Sequence, residues 1–164
     1  ARSVSLNGLD GLVRIDNGDI KEVSCNYKKA SFDIVTSNPP YIKGSHGLEN
    51  PDAPKNIARH EVHVTLEQVV AAAEHALKPG GSFYMIHKPF RLAEIFECLH
   101  EHRLEPKRMQ LVHPYIDKEP NMVIVEAVKG GNSMIKIDPP MIVYKAPGVY
   151  TEQLLATYEG TAKR

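Results

Sequence analysis

Phe32-Asp33-Ile34-Val35-Thr36-Ser37-Asn38-Pro39-Pro40-Tyr41 decides how this chain is read. The first six residues form a short apolar run, β-branched and aromatic, closed by two prolines, and they predict a buried strand. In open α/β sheets, ligands bind beyond the carboxyl ends of the strands. Residues 38–41 therefore stand where chemistry is expected. Asn38 offers a carboxamide oxygen as acceptor. Pro40 keeps Pro39 extended, which lets the Pro39 carbonyl project as a second acceptor. Neither proline has an N–H to compete for those acceptors, and Tyr41 supplies a flat face for stacking. Together the four residues make a slot for a planar amino group.

Working outward, Leu77-Lys78-Pro79-Gly80-Gly81-Ser82-Phe83-Tyr84-Met85-Ile86 predicts a helix end, a glycine turn and a strand. Thr65-Leu66-Glu67-Gln68 is a capping box. The helix it opens puts Leu66, Val69, Val70, Ala73 and Leu77 on one face. A second helix is predicted over about 90–103, with Leu92, Ile95, Phe96 and Leu99 inward. Strands follow near 109–113 and 122–128, and the polar turn Asp117-Lys118-Glu119-Pro120 between them suits an antiparallel hairpin. The alternation predicts an α/β layer fold. Gly130-Gly131-Asn132 opens a tail, residues 132–164, with a break at Pro139-Pro140, an extended run at 141–144 and a terminal helix near 151–158.

The 164 residues carry twenty Lys and Arg against twenty Asp and Glu, and 42% are hydrophobic, as in one soluble globular domain. Zero net charge is not the signature of a general nucleic-acid binder. No apolar run approaches the roughly 18 residues that would span a membrane, and the expected location is the cytoplasm. Two cysteines, Cys25 and Cys98, do not make a zinc framework or a disulfide scaffold. His60 and His63 are three apart, and His100 and His102 flank a glutamate. No set of three or four ligands converges in the sequence, so no metal site is expected and these histidines read as solvated helix ends. Lys107, Arg108 and Lys118 read as a solvated charged surface or as a phosphate-binding rim.

With Asn38-Pro39-Pro40-Tyr41 beside Leu77–Ile86 and Gly18-Asp19-Ile20, the chain resembles the class I S-adenosylmethionine-dependent methyltransferases that modify planar nitrogens. The resemblance implies that Asn38, Pro39, Pro40 and Tyr41 follow the fourth strand of the family sheet and hold the target amine as the catalytic set. It implies that Asp19 accepts a hydrogen bond from the adenine of the cofactor, that Ile20 packs on that ring, and that Asn38 stands at the cofactor's rim. The implied fold is α/β, a Rossmann-like class I methyltransferase sheet with a C-terminal antiparallel hairpin. A family member would open with a strand and a glycine-rich loop that cradles the methionine part of the cofactor. No such loop occurs here. Residues 1–9 read as the end of the helix after the second strand, stopped by Asn7-Gly8. The first two strands are read as missing, and 1–131 as the C-terminal part of a catalytic domain.

Asn56-Ile57-Ala58-Arg59-His60-Glu61, His87-Lys88-Pro89, Glu105-Pro106-Lys107-Arg108 and residues 118–131 narrow the resemblance. As a set they are similar to the bacterial tRNA adenine methyltransferases that act beside the anticodon of a valine tRNA. That implies S-adenosylmethionine as cofactor, tRNA as substrate and partner, RNA binding, and methyl transfer to the 6-amino group of adenosine. Tyr41, Arg59 and His60 fall on the substrate side. Two alternatives stand beside it. Protein glutamine-amide methyltransferases share Asn-Pro-Pro-Tyr and often place an isoleucine next, as Ile42 here. The chain can also be an inactive fragment that acts only as an association module. The unpaired edge of the strand at 32–37 is expected to invite self-association.

Overall fold

The structure, a computed structural model, describes residues 2–40 and 64–159. Helix α1 (Arg2–Leu6) stops where Asn7-Gly8 predicts. Gly8 takes φ +66°, and the N–H groups of Gly8 and Leu9 bond the carbonyls of Ser5 and Val4. These are the paired bonds of a left-handed helix stop. A 3-10 turn (Ile20–Glu22) and the short helix α2 (Val23–Asn26) lead into strand β1 (Phe32–Ser37).

Helix α3 (Leu66–Ala76) opens with the capping box. Thr65 Oγ1 accepts from the Gln68 N–H at 3.2 Å, and Gln68 Oε1 accepts from the Thr65 N–H at 3.0 Å. The helix buries Leu66, Val69, Val70 and Ala73, as its spacing predicts, and Ala76, while Leu77 is buried as the first residue of the next strand. The far end of the helix is satisfied from another element. Lys129 Nζ donates to the carbonyls of Glu74 and Leu77 and lies 2.8 Å from the Glu74 carboxylate.

Strand β2 (Leu77–His87) begins as soon as α3 ends and runs parallel to β1. The expected glycine turn is folded into this strand as a bulge. Leu77 pairs with Phe32, the next pairing is Ser82 with Ile34, and residues 78–81 bow out between them. Gly80 takes φ +78° there, and a Cβ on Gly81 would lie 2.9 Å from the Asp33 carbonyl oxygen.

After a 3-10 turn (Pro89–Arg91), helix α4 (Leu92–Glu101) buries Ile95, Cys98 and Leu99. It is shorter than expected because Arg103, at φ +57°, turns the chain out of the helix. Strands β3 (Leu104–His113) and β4 (Met122–Lys129) form the predicted antiparallel hairpin. β3 begins well before residue 109. A shift of register between Pro106 and Arg108 accommodates the proline that argues against a strand there.

The sheet order is β1-β2-β4-β3, and the outer edge of β3 takes two short parallel strands, β5 (Lys136–Ile137) and β6 (Met141–Ile142). A small hairpin, β7 (Tyr144–Ala146) with β8 (Val149–Tyr150), and helix α5 (Glu152–Tyr158), capped by Thr151, complete the described tail. Alternate residues Phe83, Met85, Val123, Val125 and Ala127 are buried against α3 and α4, together with Ile95, Leu99 and Leu104. Each of these side chains except Ala127 contributes roughly 1.5–3 kcal/mol of burial.

β1 corrects the expectation of a buried strand. Among the described residues it pairs only with β2, so it is an edge, and Phe32 and Ile34 are 41% and 60% exposed. An apolar run signals where a strand wants to be covered, and the described chain covers only part of this one. Among the described residues no helix is long and apolar enough to cross a membrane.

Candidate functional site

The carboxyl end of β1 carries Asn38, Pro39 and Pro40 to one end of the sheet. Pro39 is buried, and Asn38 and Pro40 are exposed. Asp19 precedes the 3-10 turn and caps it, Oδ1 accepting from the Lys21 N–H at 3.0 Å. That bond fixes the carboxylate and leaves its other oxygen with acceptor capacity. Gly18, Asp19, Ile20, Ser37, Asn38, Pro39 and Pro40 line a single cavity of about 530 Å³, closed on the helix side by Val64 and Val69. Residues from two separate turns, placed by the sequence on the cofactor and the amine side, thus share one wall. Tyr41, Arg59 and His60 lie outside the described residues, as do the rest of 56–61 and His63.

Val64 and Val69 are wall residues that the sequence reading did not place at the site, although it put Val69 on the buried helix face. Their signal was present. They flank the capping box at the positions where an apolar pair packs across the first turn of a helix. An adjoining cavity of about 450 Å³ shares Ile20, Ser37 and Val69 and is otherwise largely apolar, lined by Val23, Phe32, Val35, Ala73 and Phe83. Its mouth holds a polar trio. Tyr27 Oη donates to Asp16 at 2.6 Å, and Arg14 Nε donates to the same carboxylate at 2.8 Å. The hydrogen bond from Arg14, then that from Tyr27, holds the Asp16 carboxyl below its ordinary range.

The basic residues of the supposed rim have other duties. Arg108 binds Asp138 through Nε and Nη2, at 2.9 and 2.6 Å, and lies 3.8 Å from Glu126, which accepts from Tyr84 Oη at 2.9 Å. Lys107 Nζ donates to the Asn132 carbonyl, and Lys118 lies 3.5 Å from Asp117. Arg108 is a sheet-face ion pair, with its charge compensated by carboxylates.

His102 also corrects its reading as a solvated helix end. Its Nε2 lies 2.6 Å from Glu67 Oε1, its side chain is 21% exposed, and buried Cys98 donates from Sγ to Glu67 Oε2 at 3.5 Å. Burial, followed by the charge of Glu67, pushes the Cys98 thiol up to about 12. The hydrogen bond from His102 holds the Glu67 carboxyl below its usual range. The overlooked signal is Cys98-x-x-x-His102, whose spacing of four puts both side chains on one side of the helix end.

No family model matches the chain. Over the solved structures, the chain superposes on a protein of Agrobacterium tumefaciens described as a predicted O-methyltransferase, with a TM-score of 0.73 at 20% identity, covering 99% of this chain and 72% of that one. The fold is that of the class I methyltransferases. Geranyl diphosphate C-methyltransferase from Streptomyces coelicolor, solved with S-adenosyl-L-homocysteine, matches more loosely, with a TM-score of 0.54 at 13% identity over 78% of this chain and 59% of that one. In sequence, a curated tRNA1(Val) (adenine(37)-N6)-methyltransferase of Porphyromonas gingivalis is 29% identical over 150 residues, 88% of this chain. One of the same name from Parabacteroides distasonis is 31% identical over 96 residues. The chain spans 58% of the length of the Porphyromonas protein. The described sheet ends in the β3–β4 hairpin, and the Asn-Pro-Pro motif directly follows β1.

Proposed function

We propose that the protein transfers a methyl group from S-adenosylmethionine to the exocyclic amine of an adenine in tRNA, in the cytoplasm. The observation that carries the reading is the shared cavity. Asp19 and Ile20 line the same wall as Asn38, Pro39 and Pro40, at the end of a strand where this fold binds ligands. The tRNA methyltransferase names of the relatives, at 29% identity over most of the chain, support the substrate. The residues present fit the cofactor. A carboxylate with an uncommitted oxygen suits an adenine amino group, an isoleucine side chain suits an aromatic face, and about 530 Å³ lies within the usual range of ligand pockets.

The bound cofactor supplies an electrophilic methyl. The chain supplies position. An adenine amine is a poor nucleophile because its lone pair is delocalised into the ring. Asn38 Oδ1 and the Pro39 carbonyl accept from its two hydrogens and hold the nitrogen in line, favouring its pyramidal form. Tyr41 stacks on a base turned out of the RNA, and Arg59 and His60 contact the RNA backbone. No general base is needed before transfer, since the amine proton becomes acidic only afterwards.

The test is methylation of total bacterial tRNA with labelled cofactor, followed by nucleoside analysis. Label is expected in N6-methyladenosine. Label in a glutamine of release-factor protein, or none in either, overturns the reading. Asn38→Ala is expected to lose on the order of a hundredfold in rate with little change in stability, as for one preorganised polar group in a transition state. A variant that keeps half the turnover removes Asn38 from the site.

A further inference from the structure

We propose that Glu67, Cys98 and His102 form a binding site for a divalent transition-metal ion of the zinc type, bridging the first turn of α3 and the end of α4. Among the described residues this is the one place where three potential ligand atoms from different side chains lie within 4.8 Å of one another. The set is chemically coherent. One thiolate, one imidazole and one carboxylate are the donors zinc takes, and three protein ligands leave a fourth position for water. A tetrahedral ion with bonds of about 2.0–2.3 Å sets its donors roughly 3.3–3.6 Å apart. Cys98 Sγ and Glu67 Oε2 already stand at 3.5 Å. His102 Nε2 lies 2.6 Å from the other carboxylate oxygen, Glu67 Oε1, and the Glu67 side chain, 60% exposed, is able to turn so that one oxygen serves the ion beside both partners.

Charge favours the same conclusion. A dication bound by the Glu67 carboxylate, the Cys98 thiolate and neutral His102 leaves no net charge, so the thiolate is buried with its counter-ion. The thiol proton leaves to solvent, and the imidazole proton resides on Nδ1 so that Nε2 can donate its lone pair. Glu94 and Glu101 add negative field around Cys98. The exposed Glu67 side gives the ion its way in. Once bound, the ion clips together segments 31 and 35 residues apart in sequence and fixes the turn of α3 whose Val64 and Val69 wall the candidate site.

Cobalt(II) titration of the purified, metal-stripped chain tests this directly. One equivalent is expected to raise a thiolate-to-cobalt charge-transfer band with tetrahedral visible absorption, bleached by zinc, and zinc is expected to raise the melting midpoint. Cys25→Ser is expected to change nothing, since Cys25 is exposed and stands apart from the cluster. Cys98→Ala is expected to abolish the band. Because Cys98 is also a core residue, His102→Gln serves beside it. Removing an outer partner of a metal ligand costs 10–100-fold in affinity, so loss of this direct ligand is expected to weaken cobalt binding by more than about tenfold. Absence of the charge-transfer band, its persistence in Cys98→Ala, or unchanged affinity in His102→Gln overturns the site.

Discussion

His87 shows how a single residue can tie stability to pH. It ends β2 at 1% exposure, with its Nδ1 accepting from the Lys88 N–H at 2.7 Å and the Arg91 guanidinium 3.3 Å from Nε2. Burial, then the charge of Arg91, lowers its pKa below the ordinary 6.5, with Glu94 opposing weakly. The neutral ring is therefore the folded form. Its stabilisation is complete above about 6.5, and it is lost as pH falls from there toward the lower folded value, because the unfolded chain takes up the proton first. Urea midpoints measured at falling pH are expected to drop over that window. His87→Asn, whose Oδ1 replaces Nδ1 as acceptor, is expected to flatten the slope. An unchanged slope would mean that other groups set it.

At the scale of elements, the bulge at 78–81 lets a helix run straight into a parallel strand. Gly81 is its tight point. A methyl group there meets the Asp33 carbonyl at 2.9 Å and the Lys78 carbonyl at 3.0 Å, both backbone atoms. Gly81→Ala is expected to cost about 1–3 kcal/mol, as overpacking does, and its urea midpoint checks this. A variant as stable as its parent would show that β1 and β2 do not approach so closely. Much at this scale was legible in advance. Thr65 and Gln68 announced α3, the spacing from Leu66 to Ala73 announced its buried face, and the turn at 117–120 announced the hairpin. What was not legible depended on neighbours. Phe32 and Ile34 are apolar enough for a core strand, and the run at 32–37 reads both as a buried strand and as an unpaired edge; the sheet order decides for the edge. The expected strand began near 109, and only pairing with β4 shows that β3 starts at Leu104, across Pro106. In the candidate site, Asp19, Ile20 and Asn38 were readable as a set, whereas Glu67 met Cys98 and His102 only through helix packing.

For the molecule as a whole, the two borders of the sheet are unlike. On one side β3 is covered by β5 and β6, interrupted at Pro139-Pro140. On the other, β1 has no described partner beyond β2 and carries Phe32 and Ile34 partly exposed. Unpaired backbone beside apolar side chains is a template for another strand. The chain is expected to associate with rising concentration through β1, and sedimentation velocity over a dilution series checks this. A single monomer boundary throughout would show the edge to be inert. The asymmetry also limits how far such growth can go. A fibre needs two reactive borders per subunit, whereas a two-fold pairing of like borders closes on itself. Among the described residues β3 is flanked by the two-residue strands β5 and β6, so β1 is the long unpaired border, and a pairing of two such borders leaves no second one of that length to extend the assembly.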